Sequence, residues 1–213
     1  GHEAAAHGEE VTTFCLIPAL ADSLKIPVIA AGGIADGRGL AAALALGAEG
    51  VAMGSRFMTT RESPLHDRYK ELSIEKGVMD TLYSPRFDGL PCRVMKTDAA
   101  RRAIRRGLNL PAAFVNSREI AAQLGIPYLK LFLGVLASGW KNARQLAFMA
   151  NGFQAIRIAT EAGDMERGVL PVGQATGLIR DEPTVQEVVE RIVAGAEQVL
   201  RKLDAPRSAA APG

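Results

Sequence analysis

Residues 27–39, Pro-Val-Ile-Ala-Ala-Gly-Gly-Ile-Ala-Asp-Gly-Arg-Gly, and residues 50–57, Gly-Val-Ala-Met-Gly-Ser-Arg-Phe, decide the fold. Each is a short apolar run that ends in glycine. Ile26 to Ala31 is continuously apolar, β-branched in its middle and bounded by Pro27 and Gly32. That pattern predicts a strand buried on both faces, as parallel strands usually are. Asp36 or Gly37 opens a helix in which Leu40, Leu44 and Leu46 ride among alanines, and Gly47 is placed to end it. Gly50 to Met53 reads as the next strand. Strand, helix and strand within about thirty residues form a βαβ unit, a right-handed parallel crossover.

The two strand ends make a candidate phosphate cup. Gly32 and Gly33 can take positive φ and leave their amides unobstructed by a Cβ. A phosphate at the N-terminus of the helix after Asp36 would gain about 0.3–2 kcal/mol from the helix dipole. Gly54 and Ser55 would close the other side, the serine with its hydroxyl and its amide. Glycine after one strand makes a tight turn and needs no ligand. Two such turns on consecutive strands, one running into Gly-Ser-Arg, favour the phosphate.

The rest of the composition narrows the classes. With 213 residues, 48% hydrophobic and 23% charged, the chain has material for one domain or one and a half. A formal charge of +2 gives no global reason to expect nucleic acid. Cys15 and Cys92 form no C-x-x-C and no signal peptide is visible, so reduced thiols in the cytoplasm are expected. No apolar run approaches the roughly 18–20 residues of a membrane span. His2, His7 and His66 show no ligand spacing, so no metal is expected.

Four segments follow in order. Residues 1–61 carry the glycine turns, preceded by a helix over 11–25 with Pro18 near its start. Residues 62–169 read as a mainly helical insertion: helices and long loops over 62–97, a basic helix with Arg101, Arg102, Arg105 and Arg106, and helices over 117–125 and 139–163. Residues 170–204 hold the turn Leu170-Pro-Val-Gly-Gln-Ala-Thr-Gly177 and a final helix opening at Asp181-Glu182-Pro183, with proline in its first turn. Residues 205–213 are expected to be a disordered tail.

Three further features carry chemistry or structure. His7 lies in the small-residue stretch Gly1-His-Glu-Ala-Ala-Ala-His-Gly8. An ordinary imidazole titrates near pH 6.5 and could act as acid or base, for about 10²–10⁴-fold in rate, or simply sit solvated in a loop. The Arg101–Arg106 cluster is a solvated helix face, or a clamp for a phosphate-rich ligand such as a nicotinamide dinucleotide or a coenzyme A thioester. Gln174 either hydrogen-bonds a cofactor or substrate edge, or caps the last helix.

Taken together, Glu3-Ala-Ala-Ala-His7, Ile29-Ala-Ala-Gly-Gly-Ile-Ala-Asp-Gly-Arg-Gly39, Ala41-Ala-Ala-Leu-Ala-Leu-Gly-Ala48 and Met53-Gly-Ser-Arg-Phe57 resemble the nitronate monooxygenase (2-nitropropane dioxygenase) family. That family includes flavin-dependent enoyl-acyl-carrier-protein reductases and NADH:quinone reductases. The resemblance is dense over residues 1–66 and returns at Gly173-Gln-Ala-Thr-Gly-Leu178 with Asp181-Glu-Pro183. It implies an α/β fold, a TIM (β/α)8 barrel holding FMN, with the two glycine turns after its seventh and eighth strands. Gly32, Gly33, Ile34, Gly54 and Ser55 would bind the FMN phosphate, Ala5 would lie near the flavin, Gln174 would join the cofactor site, and His7 matches the active-site histidine. The family commonly has glycine where this chain has Ala5 and Ala6, and threonine in place of Ser55. The extra methyls would narrow the pocket, and the serine keeps the hydroxyl.

The resemblance also implies a cytoplasmic flavoprotein oxidising alkyl nitronates with O₂. Its alternative is an NAD(P)H-dependent reductase of an enoyl thioester or other acyl-CoA-type substrate. A barrel fragment that binds another phosphate ligand without turnover is the non-redox alternative. A whole barrel takes about 250 residues. The chain is therefore expected to be the C-terminal part of one, with the N-terminal strands absent from it. Expected partners are a small-molecule substrate and either a second copy in a homodimer or a complementing N-terminal segment or chain, with no nucleic acid and no membrane.

Overall fold

A computed structural model describes residues 1–204 and shows an α/β chain; the tail expected over 205–213 lies outside the described residues. Its centre is the βαβ unit. β1 (Ile29–Ala31) pairs in parallel with β2 (Gly50–Ala52), Ala30 opposite Val51. Between them runs α2 (Gly37–Ala45), capped by Asp36, whose carboxylate accepts from the amides of Arg38 and Gly39. Gly47 leaves the helix at φ +95°, as its position predicts. α1 (Thr13–Ser23) precedes β1 and adds Ile17 to a core with Val28, Ala30, Ile34, Ala43 and Ala48.

Burial of β1 on both faces does not hold. Ala30 is fully buried, whereas Ile29 is 56% exposed and Ala31 is exposed as well. Alternate strand residues face opposite sides, and among the described residues α1 and α2 cover only the side that Ala30 faces.

Residues 62–97 are not only helices and loops. After α4 (Asp67–Glu75) the chain forms an antiparallel hairpin, β3 (Thr81–Ser84) and β4 (Cys92–Met95), with Tyr83 opposite Arg93. On its other edge β4 meets Ala6 at Cys92 and Pro171 at Val94. That flanking explains why all four β4 residues are buried, Arg93 included. Through Met95 the hairpin packs against Tyr69, Leu170 and Val172, and through Val94 it joins a second cluster with Phe87, Ala100 and Val169.

Four helices complete the middle of the chain: α5 (Asp98–Arg106), α6 (Leu110–Gln123), α7 (Tyr128–Ala137) and α8 (Trp140–Thr160). α6 begins earlier than the expected 117–125, and α7 was not expected. A 3₁₀ turn (Gln174–Leu178) leads to α9 (Val185–Asp204). Asp181-Glu182-Pro183 does not open α9. Thr184 does, in a capping box: its amide donates to the Glu187 carboxylate and its hydroxyl accepts from the Glu187 amide. Asp181 and Glu182 instead pair with Arg56 and Lys70, both buried. α9 packs on α2 so closely that a Cβ on Gly37 would lie 2.4 Å from the Ala196 nitrogen. Among the described residues no helix is long and apolar enough to cross a membrane, and no group of three or more His, Cys, Asp or Glu is placed to hold a metal.

Candidate active site

The N-terminal stretch 1–8 threads between the βαβ unit and the hairpin, and Glu3 is its anchor. The Glu3 carboxylate accepts from the Thr13 amide (3.0 Å) and the Thr13 hydroxyl (2.8 Å), capping α1 from outside the helix. Burial alone would raise the Glu3 pKa. The hydrogen bonds from Thr13 and from the Glu3 amide win, and hold it below the ordinary value. Its backbone carbonyl accepts from the Gln174 amide at 2.9 Å.

Around Glu3 the glycine turns converge. Gly32 and Gly33 stand at φ +103° and +76°, the region where a side chain is strained. A Cβ on Gly32 would come within 3.1 Å of the Ala4 nitrogen, and one on Gly33 would touch the Glu3 side chain at 3.4 Å. Gly173 is packed just as closely, since a Cβ there would lie 2.7 Å from the Glu3 carbonyl oxygen and 3.4 Å from the Ala5 nitrogen. The Gly173 amide donates to Ser55 Oγ at 2.9 Å, tying the 170–178 turn to the end of β2. Ala5, Gly32, Gly33, Ser55 and Gln174 therefore gather at one place. Ile34 buries its side chain in the core behind them.

Several donors of this cluster have no protein partner among the described residues. Among the described residues neither the Gly33 nor the Ile34 amide donates to a protein acceptor. Gly54 opens the short helix α3 (Gly54–Met58), which has no side-chain cap, and a Cβ on Gly54 would meet open space. Ser55 accepts from Gly173, and its own proton remains to donate. Arg56 turns away: its guanidinium donates to Asp181 Oδ1 and to the Thr59 and Asp181 carbonyls. Gln174 does not cap α9, a task that falls to Thr184.

His7 lies two residues beyond Ala5, with Nε2 2.9 Å from Asp88 Oδ2. An ionised carboxylate only accepts, so a neutral His7 carries its proton on Nε2 and keeps the Nδ1 lone pair as an acceptor. The His7 side chain is 42% exposed and Asp88 only 17%. Asp88 is held from three directions. Its Oδ1 accepts from the Leu90 amide, its carbonyl from Gln145 on α8, and Gly152 of α8 packs so tightly that a Cβ there would lie 2.8 Å from Asp88 Cβ.

The hairpin clamps the same loop. The Arg93 amide donates to the Ala5 carbonyl at 2.7 Å. Its guanidinium donates to the His2 carbonyl and Thr81 Oγ1 and lies over the Tyr83 ring, whose hydroxyl donates to Gly8. Burial lowers the Arg93 pKa, opposed by the Glu3 carboxylate. Beside them, burial, reinforced by Asp88, pushes the Cys92 thiol up to about 12 and so disfavours its thiolate. Asp88 and Arg93 gave no sequence signal. One sits in a turn-rich run, Ser84-Pro-Arg-Phe-Asp-Gly-Leu-Pro91, and the other is a lone arginine in a short apolar strand.

The family model for nitronate monooxygenase matches residues 1–195. The chain belongs to the nitronate monooxygenase family. A relative from Rhodococcus jostii, the (3aS,4S,5R,7aS)-5-hydroxy-7a-methyl-1-oxo-octahydro-1H-indene-4-carboxyl-CoA dehydrogenase, is 39% identical over 210 residues, 96% of this chain and 59% of the relative. A "Probable nitronate monooxygenase" from Staphylococcus saprophyticus is 42% identical over 88 residues, 41% of this chain and 25% of that protein. The structure of FabK from Thermotoga maritima superposes with a TM-score of 0.69 at 35% identity, covering 96% of this chain and 55% of FabK. The chain thus spans somewhat over half the length of the Rhodococcus dehydrogenase and of FabK. Both of these named relatives are oxidoreductases, one a dehydrogenase and the other a probable monooxygenase.

Proposed function

We propose that this chain forms the FMN-phosphate end and supplies the acid–base histidine of a flavin-dependent oxidoreductase acting on an acyl thioester. The observation that carries this reading is the convergence of the Gly32–Gly33 turn, Ser55 and Gln174 on Glu3, two residues from Ala5 and four from His7. The cluster fits a phosphate: amides at Gly33 and Ile34 with no partner among the described residues, open space at Gly54 and a hydroxyl at Ser55. The βαβ unit then corresponds to the last two strands of a (β/α)8 barrel, whose ligand sites lie at such strand ends. Bound there, FMN would supply the two-electron chemistry that side chains lack.

The protein's own part is protonic and positional. His7 accepts or returns a proton at Nδ1, while Asp88 fixes the ring and stabilises its cationic form through Nε2. Arg93 and Tyr83 hold the loop that carries His7, so its ring meets substrate at a set position.

The thioester is favoured over the nitronate by the extent of the similarity. The match to the carboxyl-CoA dehydrogenase runs over 210 residues and so takes in Asp88 and its supporting helices, whereas the nitronate monooxygenase match covers 88. Oxidation of alkyl nitronates with O₂ is the second reading, carried by the family model over residues 1–195. Anaerobic mixing of the flavin-loaded protein with NADPH, with an acyl-CoA and with an alkyl nitronate separates them. Rapid bleaching by NADPH or the acyl-CoA supports the thioester reading, and bleaching by the nitronate alone overturns it.

A further inference from the structure

We propose that the cavity between α5, α6 and α8 is a second binding site, one that takes the adenosine diphosphate portion of a carrier such as a coenzyme A thioester or a nicotinamide dinucleotide. The cavity measures about 390 Å³, within the range of small-molecule sites and far more than an inorganic anion fills. Its walls bring together three guanidiniums from two distant parts of the chain, Arg102 and Arg106 of α5 and Arg167 of the loop after α8. Periodicity alone leaves Arg101–Arg106 as a solvated helix face. The cavity separates them, because Arg102 and Arg106 line it and Arg101 and Arg105 do not.

The charge in this cavity is not spent internally. Among the described residues Arg102 and Arg106 pair with no carboxylate; Arg102 donates to the Glu166 carbonyl, and Arg167 reaches Asp164 only at 3.9 Å. Glu166 is the single acidic residue in the lining. Three guanidiniums exceed what one carboxylate can satisfy and suit two or more phosphate groups, which their planar forks grip bidentately. A nucleic-acid strand would require a basic track, and the chain carries a formal charge of only +2.

The remaining lining suits a base. Phe87 and the methyls of Ala103, Ala112 and Ala155 offer an apolar surface, and Gln154, which has no hydrogen-bond partner among the described residues, offers a donor and an acceptor. Asn116 and Asn151 hydrogen-bond each other and Asn151 donates to the Asn109 carbonyl, which holds that wall firm. Phe87 lines the cavity and the next residue, Asp88, holds His7. A nucleotide seated here would touch the residue that precedes Asp88 in the chain. Both carriers hold their reacting group on an arm extending from this diphosphate. Only that last connection rests on the function proposed above; the nucleotide site stands on the cavity.

Calorimetric titration of the protein with ADP tests the site without turnover. ADP binds the wild type, and R106Q and the double variant R102Q/R106Q weaken it at least tenfold, while R201Q on α9 leaves it unchanged and circular dichroism shows all three folded. Coenzyme A and NADPH are then competed against ADP, and the one that displaces it more tightly identifies the carrier. No binding of ADP, binding indifferent to R102Q/R106Q, or failure of both carriers to displace ADP overturns the proposal. A protein that binds ADP here yet shows no flavin chemistry keeps this site and loses only the redox reading.

Discussion

His7 Nε2 lies 2.9 Å from Asp88 Oδ2, joining residues 81 positions apart in the chain. On the function proposed above, the contact brings the hairpin loop to the acid–base histidine and leaves Nδ1 to exchange a proton, since the carboxylate accepts the Nε2 proton. Asp88→Asn keeps the shape and removes the charge that stabilises a protonated ring. We expect kcat to fall at least about tenfold with KM little changed, the lower end of what removing the carboxylate behind a metal-bound or catalytic histidine costs. Steady-state kinetics on the two proteins checks this, and an unchanged kcat would separate Asp88 from the mechanism.

Gly152 tests the same relationship from behind. A Cβ at this position of α8 would lie 2.8 Å from Asp88 Cβ, closer than real contacts come. Gly152→Ala should therefore displace Asp88 from His7 and reduce kcat. Gly134 on α7, where a Cβ meets nothing within 4 Å, is the control, and Gly134→Ala should leave turnover unchanged.

The cup makes a separate prediction. Ser55 Oγ is the acceptor for the Gly173 amide, so Ser55→Ala leaves that amide unpaired at a cost of about 1–3 kcal/mol and loosens the turn carrying Gln174. Flavin affinity should weaken, measured by quenching of free FMN fluorescence on titration. Ser55→Thr restores the hydroxyl and should restore binding.

Glu3 gives the fold an acid-sensitive point. Its folded pKa lies below the ordinary 4.5, so it binds fewer protons folded than unfolded at low pH. Its stabilisation is full above 4.5 and disappears as pH falls through the lower, folded value. Thermal midpoints should therefore drop below pH 4.5, and Glu3→Gln should lower the midpoint at neutral pH and flatten this acid limb. An unaltered acid limb in Glu3→Gln would assign the loss to other carboxylates.

The βαβ unit was legible because its signals are local: an apolar run, Gly32-Gly33, the Asp36 cap and Gly47 all act within a few residues of themselves. The hairpin was not, because β3 and β4 are four residues each and β4 is stabilised on its far edge by Ala6 and Pro171, which no local pattern announces. α7 was hidden for another reason. Tyr-Leu-Lys-Leu-Phe-Leu-Gly-Val-Leu-Ala is apolar nearly throughout, Lys130 apart, so no polar face marks it as a surface helix. Of the site, the glycines, Ser55 and His7 carried motifs, while Asp88 acquires its meaning only when the hairpin brings it to His7.

The most direct measurement follows flavin reduction by substrate in single turnover, anaerobically, in the wild type and in His7→Ala. The account predicts that His7→Ala takes up FMN as the wild type does and loses about 10²–10⁴-fold of the reduction rate. A His7→Ala protein that is reduced at the full wild-type rate would contradict it.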